Sequence, residues 1–382
     1  MGHRDAIVSQ YVGIPKHAFI WNDVFIVSIL YKKQFRTYFS SIGISITKHI
    51  SKMQTALGSL IGPKKELHDL EGRVALVTGG ALGIGYEVSR AFASAKAKII
   101  MVSRDEDQGS AAITGIKKYF GSDTVVEWIH CDLGNLHEIK DVFTTIREKE
   151  DRLDLLVLSA GINANKYNLD YDGIDQHFGV NWLGQFYATN LLFPLIRRTS
   201  KMPSTPAPRI IVESSELHRL APSATKFDSL DDINNSKLGP TQLYGRSKLA
   251  MILGIKYGLL ERVMKPNADN IYAIAVHPGA VNTAIQQQWK DAYPGLTGKL
   301  LTNASLAIGR SPEQGAFTTL YAATSPEIEE KGWNGAYLSD PGKLGKESSQ
   351  ASDPKLGASL WTLSEDLVRQ KIGENALLDW CS

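Results

Sequence analysis

The chain has 382 residues, 43% of them hydrophobic and 21% charged, a globular balance that excludes a disordered or fibrous protein. A formal net charge of +2 offers no general attraction to nucleic acid, and no nucleic-acid partner is expected. Cys131 and Cys381 stand far apart, give neither a disulfide framework nor metal-ligand spacing, and fit a reducing compartment.

Residues 1–65 differ in character from the rest. Arg4, Lys16, Lys32, Lys33, Arg36, Lys48, Lys52, Lys64 and Lys65 are opposed there only by Asp5 and Asp23. The longest apolar stretch, Ala18 to Tyr31, is broken by Asn22 and Asp23 and falls short of the roughly 20 apolar residues that a membrane span needs. We read a loosely ordered N-terminal extension on a cytoplasmic protein. The alternative is a mitochondrial transit peptide or an interfacial membrane anchor, which a basic, acid-poor start would also suit.

From Glu66 onward, short apolar runs alternate with helical patterns. Arg73 to Thr78 reads as a strand ending in Gly79-Gly80, followed by a helix from Gly83 to about Ala95. Lys98 to Ser103 is the second strand, Ala111 to Tyr119 a helix, Val125 to Cys131 the third strand, and Leu136 to Lys149 a helix. Leu153 to Ser159 is a buried strand and Ile174 to Leu195 a long helix. Arg209 to Glu213, Gln242 to Val263 and Ile271 to Val276 continue as strand, helix and strand, with a polar loop carrying one short helical turn over Ser223 to Pro240. The alternation predicts an α/β fold: one Rossmann-type, doubly wound parallel sheet with helices on both faces, over residues 66–382. The near-continuous apolar strands suit a sheet covered on both sides.

Thr78-Gly79-Gly80-Ala81-Leu82-Gly83-Ile84-Gly85 falls between the first strand and the first helix. A glycine-rich turn there lets backbone N–H groups approach a pyrophosphate, and the helix N-terminus adds a favourable dipole. Dinucleotide sites for NAD carry an acidic residue about 20 positions further on, where it takes the ribose 2′-OH. Here that region reads Ser103-Arg104. A carboxylate would repel a 2′-phosphate and a guanidinium would hold it, so NADP(H) is expected, with Asp105 and Asp107 as competing partners of Arg104.

Tyr244-Gly245-Arg246-Ser247-Lys248 lies on a predicted helix, where residues four apart share a face. A free phenol, with a pKa of about 10, is a poor proton donor or acceptor near neutrality, and a neighbouring ammonium brings it down. That pairing suits general acid/base chemistry.

The order TGGALGIG, Ser159-Ala160-Gly161, Asn181, Ser214-Ser215, YGRSK and His277-Pro278-Gly279 resembles the short-chain dehydrogenase/reductase family, from about Gly72 to Leu367. CDL at 131–133, SSELH at 214–218, YGRSKLA at 244–250, HPGAVNT at 277–283 and LWTLSEDLV at 360–368 look like its retinol-dehydrogenase-like branch and fungal relatives. The resemblance implies that Tyr244 passes a proton to or from a substrate oxygen, while Lys248 lowers its pKa and holds the nicotinamide ribose. It implies that Ser215 orients that oxygen and that Asn181 holds a relay water. Cofactor contacts are implied for Thr78, Gly79, Leu82, Gly83, Ile84, Gly85, Arg104, Asp132, Leu133, Asn181, Tyr244, Lys248, Gly279, Val281 and Thr283, with Asp132 at the adenine and Thr283 at the nicotinamide amide. The implied reaction interconverts a carbonyl and an alcohol on a small apolar or ring-containing molecule of retinoid, steroid or polyketide type.

Ser214 is an alternative to Ser215, and a hydrolase built on Ser215 and His218 is another. A non-catalytic NADP(H)-responsive scaffold would keep the fold, although Tyr244 and Lys248 are both intact. Where the family often has Asn-Asn-Ala-Gly, this chain has Leu158-Ser159-Ala160-Gly161, so a backbone brace is expected to be weakened. The pocket wall is expected from residues 216–243 and from Gln286 to Gln288, Trp289 and Tyr293. A homo-oligomer packed through the Tyr244 helix and a monomer both stay open.

Overall fold

A computed structural model describes residues 69–281 and 310–381. Strand β1 (Val74–Thr78) lies at the centre of the sheet, paired in parallel with β2 (Lys98–Ser103) on one side and β4 (Leu155–Leu158) on the other. Beyond β2 is β3 (Val126–His130), and beyond β4 follow β5 (Arg209–Glu213), β6 (Tyr272–Val276), β7 (Tyr337–Asp340) and β8 (Lys343–Leu344). The order is β3-β2-β1-β4-β5-β6-β7-β8, parallel throughout except for β8, which pairs antiparallel with β7 at the edge. The chain reverses its winding between β1 and β4, so the crevice beyond their carboxyl ends is where such sheets bind ligands.

Helices α1 (Gly83–Ser94), α2 (Glu106–Phe120) and α6 (Pro312–Thr324) cover one face. On the other lie α3 (Leu136–Lys149), α4 (Gly184–Ser200), α5 (Pro240–Leu253) and α7 (Pro354–Ile372). The strands sort their side chains by alternation: Ala75, Val77, Ile211 and Ile274 join the first layer, and Leu76, Leu158, Ile210 and Val212 the second. Helix starts are capped by their sequence. Asp105 accepts from the Gln108 amide, which begins α2 earlier than periodicity suggested, and Asn135 accepts from the Glu138 amide ahead of α3.

The expected long helix from Ile174 has a different build. A short turn, Gln176–Phe178, passes into a π-helical turn, Gly179–Leu183, before α4 continues through Pro194 to Ser200. A π-turn re-aims the residues within it, and Asn181 is one of them. Helix α5 likewise runs on as a π-helical segment, Gly254–Met264, where Gly254 and Gly258 lie against the rings of Trp182 and Trp361. Elements α6, β7, β8 and α7 did not emerge from periodicity; β7 is short and ends in Ser339-Asp340, and β8 is shorter still.

Candidate active site

The turn after β1 is shaped by glycine. Gly79 and Gly83 have φ of +66° and +61°, in the left-handed region that side chains disfavour. A Cβ on Gly85 would come within 2.3 Å of the Gly79 carbonyl oxygen. Helix α1 follows Leu82 without a side-chain cap and with no acidic residue in its first turn, whereas α2, α3 and α6 have both and α7 is capped by Asp353. Its first N–H groups and dipole are thus left for an anion, and the cradle fits the pyrophosphate of a dinucleotide. Leu82 is 51% exposed at the rim, whereas Ile84 packs toward the α1 layer.

Thr78 does not face that cradle. Its hydroxyl is buried, donating to Gln185 Oε1 at 2.8 Å and accepting from the Ala160 amide at 3.2 Å. Gln185 completes the link by donating to the Ala160 carbonyl at 2.8 Å. The brace expected to be weak without asparagine is therefore supplied by Thr78 and Gln185, and Ser159 is free to donate to Glu213 Oε2 at 2.8 Å.

At the end of β2, Ser103 accepts from the Trp128 indole at 2.8 Å, and Asp105 is occupied as the α2 cap. Arg104 is exposed, and its ion-pair partner is neither Asp105 nor Asp107 but Asp132, at 3.5 Å. Asp132 also accepts from the Gly134 amide at 2.9 Å. Leu133 is buried in the core, so only its backbone can meet a ligand. Gly279, at φ +87°, lies against Arg310, and Val281 is buried and bridged to Arg310. Thr283, the Gln286 to Gln288 run, Trp289 and Tyr293 lie outside the described residues.

Strand β5 delivers Ser214 and Ser215 opposite α5. Ser214 Oγ donates to the Lys248 carbonyl at 2.8 Å and is thereby committed to tying strand to helix. Ser215 is the hydroxyl that approaches the Tyr244 phenol, and it accepts from the Leu217 amide at 3.2 Å, capping a 3-10 turn over Glu216–Leu220. Lys248 is buried, its Nζ donating to the Glu213 carbonyl at 2.6 Å and lying 5.6 Å from the centre of the Tyr244 ring. Burial pulls this ammonium down to about 8, against the opposing pull of the Glu213 charge. The expected lowering of Tyr244 is not what its surroundings produce: burial pushes the phenol up, and the nearby Ser215 hydroxyl only partly counters it.

Asn181 grips Ile162 from both sides, accepting from its amide at 2.7 Å and donating to its carbonyl at 2.9 Å. It also donates to Ser247 Oγ at 2.9 Å, which in turn donates to the Tyr244 carbonyl. A Cβ on Gly161 would lie 3.3 Å from Asn181 Oδ1 and 3.4 Å from Lys248 Nζ, so Asn181 and Lys248 flank this glycine. His218 is no nucleophile's base: its Nδ1 donates to the Ser215 backbone carbonyl at 2.7 Å, and its Nε2 accepts from the Ser348 amide at 3.2 Å. These partners require the neutral ring, and burial holds its pKa down.

Sequence reasoning missed Gln185, Glu213 and the role of Arg246. The buried Arg246 guanidinium donates to the carbonyls of Asp232 and Ile233, pinning the 222–239 loop to α5. Only Glu213 left a signal, as a charge ending an otherwise apolar run, Ile210 to Val212. A small apolar cavity, lined by Trp182, Phe186, Met251, Trp361 and Trp380, lies in the α4–α5–α7 layer rather than at Tyr244.

A family profile described as short chain dehydrogenase matches residues 73–217. A polyprenol dehydrogenase of Danio rerio is 33% identical over 80% of this chain and 90% of its own. The short chain dehydrogenase/reductase dpfgH of Gibberella zeae is 30% identical over 84% and 89%, and a Neurospora crassa oxidoreductase named as mitochondrial is 32% identical over 82% and 76%. Among solved structures, an uncharacterized protein of Mycobacterium paratuberculosis shares the fold with a TM-score of 0.59 at 26% identity, over 80% of this chain and 96% of that one. The chain belongs to the short-chain dehydrogenase/reductase family, oxidoreductases that bind a nicotinamide cofactor.

Proposed function

We propose that the protein interconverts a carbonyl and an alcohol with NADP(H), acting on a small apolar or ring-containing substrate. The observation that carries this reading is the Tyr244 ring centred 5.6 Å from the buried ammonium of Lys248, with the Ser215 hydroxyl close enough to act on the phenol. Tyr244 gives its proton to the carbonyl oxygen, Ser215 orients that oxygen, and Lys248 balances the charge left on the phenol. Asn181 holds Ile162 and Ser247 in place around the pair. The bound nicotinamide supplies or accepts the hydride. Burial pushes the phenol up, so the charge left when it gives its proton away needs the Lys248 ammonium beside it.

Arg104, exposed and free of Asp105, favours the 2′-phosphate of NADP(H) over the bare ribose of NAD. The polyprenol dehydrogenases of Danio rerio and Homo sapiens support an apolar alcohol or its carbonyl as substrate, alongside the retinoid, steroid and polyketide types. Residues 1–65 form, in this proposal, an extension to the catalytic domain of residues 66–382, and the mitochondrial Neurospora relative supports a targeting role for it. No described helix is long and apolar enough to cross a membrane. Comparing where the full chain and one starting at Glu66 fractionate separates anchor or targeting from neither.

Titration of the purified protein with NADPH and NADH, followed by nicotinamide fluorescence, tests the cofactor. Tighter NADPH binding is expected; preference for NADH would reduce Arg104 to a surface charge. Binding of neither would remove the oxidoreductase reading for this chain in favour of a scaffold.

A further inference from the structure

Glu213 ends a strand whose other residues are buried, and it is itself only 5% exposed. By alternation it shares a face with Ile211, in the layer covered by α1 and α6. A carboxylate without partners there would be strongly disfavoured, and an apolar residue would complete the layer at no such cost. Instead the carboxylate is fully bonded: Ser159 Oγ donates to Oε2 at 2.8 Å and Thr319 Oγ1 to Oε1 at 2.8 Å. Two hydroxyl donors suit the ionised form. On the other side of the strand, the backbone carbonyl of the same residue takes the Lys248 ammonium at 2.6 Å.

We propose that Glu213 is a positioning residue for the proton chemistry, aiming Lys248 through its carbonyl and keeping it charged through its carboxylate. This rests on the reading that Tyr244 and Lys248 move the proton. Burial disfavours both charges, and each offsets that for the other. Among the described residues, the groups facing Glu213 are few. Lys248 and Tyr244 approach from α5, and hydroxyls alone from the end of β4 and from α6. His277, beyond β6, instead feels Glu216, Arg310, Asp340 and His218. The Glu213 charge raises both Lys248 and Tyr244, so its loss lowers both. The alkaline limb of carbonyl reduction, where Tyr244 must still hold its proton, then moves to lower pH.

The test compares wild type, Glu213→Gln and the pair Ser159→Ala/Thr319→Val, all as full chains. The pair keeps the carboxylate but removes its donors, so it takes up a proton more readily. Lys248 is followed directly, by the Cε resonance of 13C-lysine-labelled protein, assigned by its loss in Lys248→Arg. The expected midpoint is about 8 in wild type, falling by roughly half to one pH unit in both variants. The alkaline limb of the pH profile of kcat/KM for NADPH-linked carbonyl reduction should fall with it. Unchanged Lys248 midpoints overturn the proposal, even if the variants are less stable, because a structural role alone would not move them. Should Glu213→Gln not fold, the pair decides on the same criterion. A wild type that reduces no carbonyl compound sinks the functional reading instead, and the resonance still judges Glu213.

Discussion

At the turn between β1 and α1 the working groups are backbone: two glycines at positive φ, a third against a carbonyl, and a helix start left uncapped. Where β5 meets α5 they are side chains, drawn from three separate stretches of chain and mostly buried: Ser215, Tyr244, Lys248, Asn181 and Glu213. Both regions lie at the carboxyl ends of strands in the same parallel sheet. The difference teaches where each tolerates change. The first fails when any Cβ fills the cradle; the second fails when one donor, acceptor or charge is lost from an otherwise intact frame.

Tyr244→Phe draws the comparison most sharply. Turnover in carbonyl reduction should fall about 10²- to 10⁴-fold, the usual worth of a positioned acid, while NADPH binding persists. Undiminished turnover would break the assignment of the proton to this phenol. Gly85→Val attacks the other region and should invert the pattern. A side chain 2.3 Å from the Gly79 carbonyl forces the turn open, lowering NADPH affinity by about 10- to 100-fold in a fluorescence titration. Retained affinity would mean the turn is not the phosphate cradle. Arg104→Ala should leave both regions folded and reduce the preference for NADPH over NADH by about tenfold. An unchanged ratio places 2′-phosphate recognition elsewhere.

The smallest expected effect comes from pH. Burial holds His277 down to about 4, from an ordinary 6.5. The unfolded chain therefore takes up a proton over this window that the folded chain does not. Stability present above pH 6.5 is lost as pH falls toward 4, at up to about 1.4 kcal/mol per pH unit. His277→Asn should flatten that slope in urea unfolding between these limits; an unchanged slope would shift the effect to His218 or to carboxylates.

Much of the frame was readable along the chain. The strands Lys98–Ser103 and Arg209–Glu213 and the helix Leu136–Lys149 stand as their periodicity foretold, because buried parallel strands and amphipathic helices sort residues by local spacing alone. The late elements were not readable. Strand β7 gains its place by pairing with Ala275 and Val276, so its identity depends on a neighbour already in position.

The sequence by itself determined the alternation of strand and helix, the glycine turn, and the four-residue spacing of Tyr244 and Lys248. Each is a local property, set by side-chain period or by the freedom of a residue without a Cβ. Only the tertiary structure decided which serine meets the phenol, that Thr78 braces Ala160 with Gln185 rather than facing the cradle, and that His218 holds a backbone carbonyl. It also brought Ser159, Glu213 and Thr319 together from the end of β4, β5 and α6. Such contacts depend on the order of strands in the sheet and on which face each side chain takes. Burial then sets their charges, because in a low-dielectric interior a partner's presence outweighs a residue's intrinsic pKa.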